Sequence, residues 1–228
     1  SVRMHLTHLT GIVNSVMTGQ TDITLHSIDR RRVAIFDFAG TGMTADVDAD
    51  PDNYEVETSG LRLANFAEGK PISAKGFPNA FGMAPPDFNG RTVIDYTGVR
   101  SALGIGWGAE GTTAPYSRIG PDGIALDNDN ANIAVRHYIK QGPVLIDLTL
   151  LDSDTVIVPS DSSRSVFYIK TADSLRMYSD FVDFVDDLTA SLDGATAARS
   201  MHARGSYAAD TNVFSANKIG VYLLEPDI

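Results

Sequence analysis

The 228-residue chain contains no cysteine. That removes disulfides, thiolate metal sites, cysteine nucleophiles and covalent haem attachment together. It leaves the compartment open, because many exported bacterial proteins also lack disulfides. Positive charge is scarce: 18 Lys and Arg stand against 29 Asp and Glu, for a formal net charge of −11 and a pI near 4.7. This balance argues against a sequence-independent grip on nucleic acid, which depends on clustered cations, and against docking to anionic lipid. The one basic run, Arg30-Arg31-Arg32, is too short to reverse it and is expected to decorate a turn. No apolar stretch approaches the length needed to cross a bilayer. No H-E-x-x-H, G-x-S-x-G or Walker lysine loop occurs. Position 1 is Ser rather than Met, which is expected of a mature or trimmed product.

What is present is 43% hydrophobic residues, enough for real cores in one large domain or two small ones. Strand signals dominate. "MHLTHLTGIVNSV" and "TDITLHSI" alternate apolar and polar residues and are rich in β-branched side chains, and "YEVETSGL", "PISAKGF" and "RTVIDY" follow in the same style. The second half repeats the pattern. "YEVET" (Tyr54 to Thr58) matches "FYIKT" (Phe167 to Thr171), "ISAKGF" (Ile72 to Phe77) matches "MHARGS" (Met201 to Ser206), and "DFNGRTVI" (Asp87 to Ile94) matches "VFSANKIGV" (Val213 to Val221). A period of roughly 110–130 residues means two domain-sized copies rather than a solenoid. The one convincing helix spans about 175–192, where Tyr178, Phe181, Val182, Val185, Leu188 and Leu192 write one apolar stripe. Asp173 or Ser174 is expected to cap its start and Gly194 its end.

Three strands, a helix and two strands is the order expected of an OB-type barrel. The chain therefore reads as mainly β: two tandem OB-like five-stranded barrels over 1–100 and 131–228, joined by a Gly/Pro/Asn-rich loop over 101–130. The second barrel carries the helix, and the first needs another plug. The opening "GIV" (Gly11 to Val13), the fourth-strand "AKG" and "ARG", and the final "FSANKI" give the pattern a family look. It resembles OB-like β-barrel repeats of bacterial exported proteins and lipoproteins. The resemblance implies that fold and a periplasmic, cell-surface or extracellular location, and carries no activity with it.

Candidate sites are few. "DVDADPDNYEVE" places Asp46, Asp48, Asp50, Asp52 and Glu57 at the ligand positions of an EF-hand loop. Pro51 stands where that loop needs Gly, and "YEVET" reads as a strand, so an EF-hand is excluded. An acidic surface loop is expected here, with a non-EF calcium site on Asp46, Asp48, Asp50 and Asp52 as the alternative. "DNDNAN" poses the same choice at Asp127 and Asp129, with a turn preferred. Asp180, Asp183, Asp186 and Asp187 read as a solvated helix face. "GWGAEG" (Gly106 to Gly111) fits G-x-G-x-x-G, but its Pro- and Gly-rich sequel opposes the helix a dinucleotide site requires. Trp107 within it is expected to pack, with ligand stacking or an interface as the alternative. His5 and His8, three apart on a strand, point to opposite faces and share no metal.

The resulting expectation is a non-catalytic exported binding or assembly module, with protein or carbohydrate ligands and calcium as the only cofactor considered. Its alternatives are a subunit of an extracellular filament or surface layer, self-associating through an N-terminal strand from Val2, and a carboxylate-dependent hydrolase. Single-stranded nucleic-acid binding follows from fold analogy alone and is not expected on the charge.

Overall fold

The computed structural model describes residues 6–61, 66–127, 136–161, 164–192 and 196–224. The chain divides into two compact units, Ser1–Thr97 with Gln141–Ile146, and Gly98–Lys140 with Asp147–Ile228. Both are built almost wholly of strands.

In the first unit the strands are β1 (Thr7–Met17), β2 (Gln20–Ile28), the two-residue β3 (Arg31–Arg32), β4 (Tyr54–Glu57), β5 (Pro71–Pro78) and β6 (Phe88–Asp95). Five of them close into a barrel in the cyclic order β1-β2-β4-β6-β5-β1, with β4 and β6 parallel and the other neighbours antiparallel. Closure leaves β1 paired with β2 along its length and with β5 from Thr7 to Ile12. Alternation aims Leu9, Val13, Ile23, Leu25, Val56, Ile72, Ala74 and Phe88 inward, and all are buried. Phe66, from the connection between β4 and β5, packs on that core.

The second unit contains β7 (Ser101–Gly106), β8 (Tyr116–Gly120), β9 (Gly123–Leu126), β10 (Arg136–Gln141), β12 (Val156–Pro159), β13 (Val166–Lys170), β14 (Leu175–Tyr178), α1 (Phe181–Ser191), β15 (Ala197–Ala208) and β16 (Val213–Leu224). The intervening β11 (Val144–Asp147) falls mostly in the stretch assigned to the first unit. Residues 101–130, expected as a connecting loop, thus carry three strands. Its sheet runs β10-β7-β15-β16-β12-β9-β8, with β13 also joining β16 and β14 flanking β13. This path does not close, so one barrel is shown and a second is not.

Two of the three sequence matches occupy equivalent places. Lys75 lies opposite Thr92 but Gly76 opposite Gly90, and likewise Arg204 lies opposite Lys218 but Gly205 opposite Ala216. Each pair skips one partner residue, a β-bulge. The cause is steric: a Cβ on Gly76 would stand 1.9 Å from Asn89 O, and one on Gly205 1.9 Å from Ser215 O. Phe88 and Phe214 sit two residues before the bulge partner and are both fully buried. The "YEVET"/"FYIKT" match is displaced. Val56 lies opposite Phe88, but Ile169 lies opposite Val221, seven residues beyond Phe214, and the place opposite Phe214 is taken by Ile157 of β12.

The helix starts at Phe181, six residues later than expected, because Leu175–Tyr178 pair with β13 as a strand. Asp180 caps it, its Oδ1 accepting from Val182 N at 2.7 Å and Asp183 N at 3.2 Å. Phe181, Phe184, Val185 and Leu188 are buried at i, i+3, i+4 and i+7, while Val182 turns outward at 46% exposure. Phe184 stacks on Phe167 of β13 with ring centroids 5.6 Å apart. Asp187, expected in solvent, instead receives Arg176 Nη1 at 2.7 Å and the Tyr178 hydroxyl. Gly194 lies outside the described residues.

Candidate functional site

In a five-stranded barrel of this order, β1, β4 and β6 begin, and β2 and β5 end, at one pole. The two connections there, residues 29–53 and 79–87, are knitted together by their backbones. Met43 N donates to Ala84 O at 3.0 Å, Met83 N to Thr41 O at 3.1 Å, and Gly82 N to Gly40 O at 3.1 Å. Beneath them is a cavity of about 400 Å³. Leu9, Ile28, Tyr54 and Phe88 line it from the barrel, and Phe36, Phe38, Phe81 and Ala84 from the two connections. The same two connections hold large apolar side chains in solvent: Ile35 is 66% exposed, Met43 65%, Phe81 75% and Met83 60%. Four such residues beside one apolar cavity are a cluster rather than the scattered exposure usual on a protein surface.

The charges lining this cavity are of one sign. Asp29, Asp37 and Asp87 contribute to its wall, and no Lys or Arg does. Asp87 is 7% exposed, and its one side-chain hydrogen bond among the described residues is from Glu55 N to Oδ2 at 2.9 Å. Burial pushes its carboxyl up to about 6, with the negative charges of Glu55, Asp50 and Asp22 adding to the effect. Beside it Tyr54, 5% exposed, has its phenol pushed upward by burial and by the charge of Asp87. The pair adds a hydrogen-bond acceptor and a hydroxyl to a cavity whose wall is mainly apolar. Neither residue stands out in the sequence. "PPDF" and "NYEV" read as turn and strand starts, and only the shared pole of the barrel brings them together.

A second, polar depression on the same unit is lined by His8, Asp29, Arg30, Ser73, Lys75 and Tyr96. His8 Nε2 lies 2.5 Å from Ser73 Oγ. Burial lowers the imidazole's affinity for a proton, as does Lys75, so Nε2 of the neutral ring is suited to accept the seryl proton. A serine nucleophile also needs its base oriented by a third group. Asp29 Oδ1 instead accepts from the backbone N of His8 at 2.9 Å. Among the described residues, no carboxylate bonds the His8 ring as an acyl-transfer site requires.

The acidic loop is occupied with its own backbone. Asp48 accepts from Gly42 N at 2.8 Å and Gly40 N at 3.0 Å, and these bonds hold its carboxyl below the usual value. Asp46 is likewise lowered, chiefly by Thr44. Asp50 caps a short 3₁₀ turn through Asp52 N at 2.9 Å, and Asp52 offers its carbonyl to Asn14 Nδ2 at 2.7 Å. Among the described residues no group of three or more His, Asp or Glu side chains is placed to hold a metal ion. Asp127 follows β9, and Asp129 and His5 lie outside the described residues. Trp107 is 4% exposed, packed edge-on against Tyr116 with centroids 5.9 Å apart. Among the described residues no helix is long and apolar enough to cross a membrane. Comparison with protein-family models, with curated proteins and with solved structures found no match.

Proposed function

We propose that this chain is a non-catalytic, exported bacterial binding module of OB-like build, whose first barrel receives an apolar group of a protein partner at its capped pole. The observation that carries the reading is the 400 Å³ cavity walled by Leu9, Phe36, Phe38 and Phe88. Its volume lies within the range typical of ligand pockets, roughly 300–1,000 Å³. The exposed Ile35, Met43, Phe81 and Met83 around it supply the apolar anchors that protein interfaces concentrate at their centre. The cyclic strand order, with the third and fifth barrel strands parallel, supports the OB-like assignment. The repeated bulge at Gly205 supports reading the second unit as a diverged copy.

The test is titration of the full chain with Nile red, a neutral apolar dye. Saturable fluorescence enhancement is expected, weakened about tenfold by Phe81→Asp, a change at an exposed position that should leave the melting temperature unaltered. A dye signal that is absent, or that Phe81→Asp leaves unchanged, would refute the reading.

A further inference from the structure

The outer face of the second unit's sheet carries an arrangement that the whole-chain charge conceals. Partners directly opposite in a ladder share a face, so the registers assign it residue by residue. On β15, Ser200 faces Gly106 and Tyr222, His202 faces Gly104 and Gly220, and Arg204 faces Ala102 and Lys218. On β13, Tyr168 faces Gly220 and Lys170 faces Tyr222. The neighbouring β10 adds Arg136, Tyr138 and Lys140: a Cβ on Gly104 would meet the Tyr138 ring at 3.5 Å, and one on Gly106 the Arg136 Cβ at 3.9 Å. Arg199, at the bulge of β15, lies over the Tyr222 ring at 5.6 Å.

This face therefore gathers Arg136, Lys140, Lys170, Arg199, Arg204 and Lys218, with no Asp or Glu at the outward positions of these five strands. Lys70 pairs with Asp95 and Arg176 with Asp187, neither pair belonging to this face. Among the described residues, none of these six cations forms a salt bridge with a carboxylate, in a chain that carries 29 Asp and Glu. Arg204 and Lys218 even stand directly opposite each other, a like-charge placement that disfavours the fold by a few tenths of a kcal/mol up to about 1.

Three tyrosines lie among these cations. Tyr168 lies across Gly220, where a Cβ would stand 2.1 Å from its ring, and Tyr138 lies across Gly104. Glycine at both places lets the rings settle flat on the sheet. Lys218 approaches the Tyr168 ring at 5.6 Å, and Lys170 the Tyr222 ring at 5.6 Å. Flat rings among these cations suit a ligand with planar faces on a regularly charged anionic backbone. Five strands about 4.8 Å apart make a platform roughly 20 Å wide, enough for several nucleotides. Carboxylates farther from the face than about 8–10 Å are screened at physiological salt, so the local charge rather than the −11 total governs contact.

We propose that this face binds single-stranded nucleic acid, its cations meeting phosphates and Tyr138, Tyr168 and Tyr222 stacking on bases. The experiment is fluorescence anisotropy of a labelled oligodeoxythymidine of about 12 nucleotides with the full chain. Binding should weaken with salt, log K falling against log[salt] with a slope no steeper than about −4, the limit for six phosphates on a single strand. Lys218→Glu should weaken binding at least about tenfold. Because it places a carboxylate opposite Arg204, the variant should melt no lower than the parent, which separates lost binding from lost fold. Tyr222→Leu should cost roughly 5- to 150-fold, the range for one stacked base. Absence of binding at about 50 mM salt, indifference to Lys218→Glu, or tighter binding of duplex would overturn the proposal. So would equal competition by dextran sulfate together with no loss in Tyr222→Leu, which would mark the face as one for anionic polysaccharide.

Discussion

Asp87 links the stability of the first barrel to pH. Its folded-state carboxyl lies at about 6, above the ordinary 3.8, so protonation favours the fold. Its contribution is fully present below about 3.8 and is lost as pH rises through about 6. Glu55, also raised by burial, acts in the same direction. Asp48 and Asp46, both lowered, act in the opposite one, their contribution present above 3.8 and lost as pH falls. Asp87→Asn keeps an acceptor for Glu55 N–H while removing the charge. It should raise the melting temperature by roughly 2–4 °C at neutral pH and have little effect near pH 4, as thermal scans across that range would register. Phe88, fully buried and lining the cavity, is the opposite kind of residue. Phe88→Ala should cost about 3–5 kcal/mol in urea unfolding, through lost transfer free energy and the void left behind.

At the level of elements, the bulge at Lys75-Gly76 and Arg204-Gly205 is the most constrained feature. Gly205→Ala and Gly76→Ala each force a methyl onto a backbone carbonyl of the adjacent strand, where no flexible side chain can yield. Each should lower stability by more than about 2 kcal/mol, whereas Gly60→Ala, whose Cβ meets nothing, should be nearly neutral in the same denaturant titration. The helix is the better-read element. Its i, i+3, i+4, i+7 pattern was legible, and its start was not, since Leu175 and Met177 suit a helix by composition but find a strand partner in β13. Asp180→Ala should cost about 1 kcal/mol by removing the cap. The displaced "FYIKT" has a similar cause. Strand composition identifies what can join β16, but register is set by which segment reaches each stretch of its edge, and β12 holds the place opposite Phe214.

For the whole molecule, the division into units does not follow the chain. Residues 141–146 belong with the first unit, where Gln141, fully buried, donates Nε2 to Tyr96 O at 2.9 Å. Gln141→Ala should cost about 1–3 kcal/mol by orphaning that carbonyl, and hydrogen exchange should show protection falling in β5 and β6 and not in β15 and β16. Periodicity and composition determined a mainly β chain with one amphipathic helix, a repeated Lys/Arg-Gly segment and an acidic loop before β4, because these are local properties of spacing and side-chain type. Tertiary structure alone decided which repeat closes into a barrel, that Tyr54 and Asp87 line one cavity, and that cations from positions 136 to 218 share one sheet face. Closure, cavities and charge patches arise from residues distant in the chain, and no local pattern encodes which strand edges will meet.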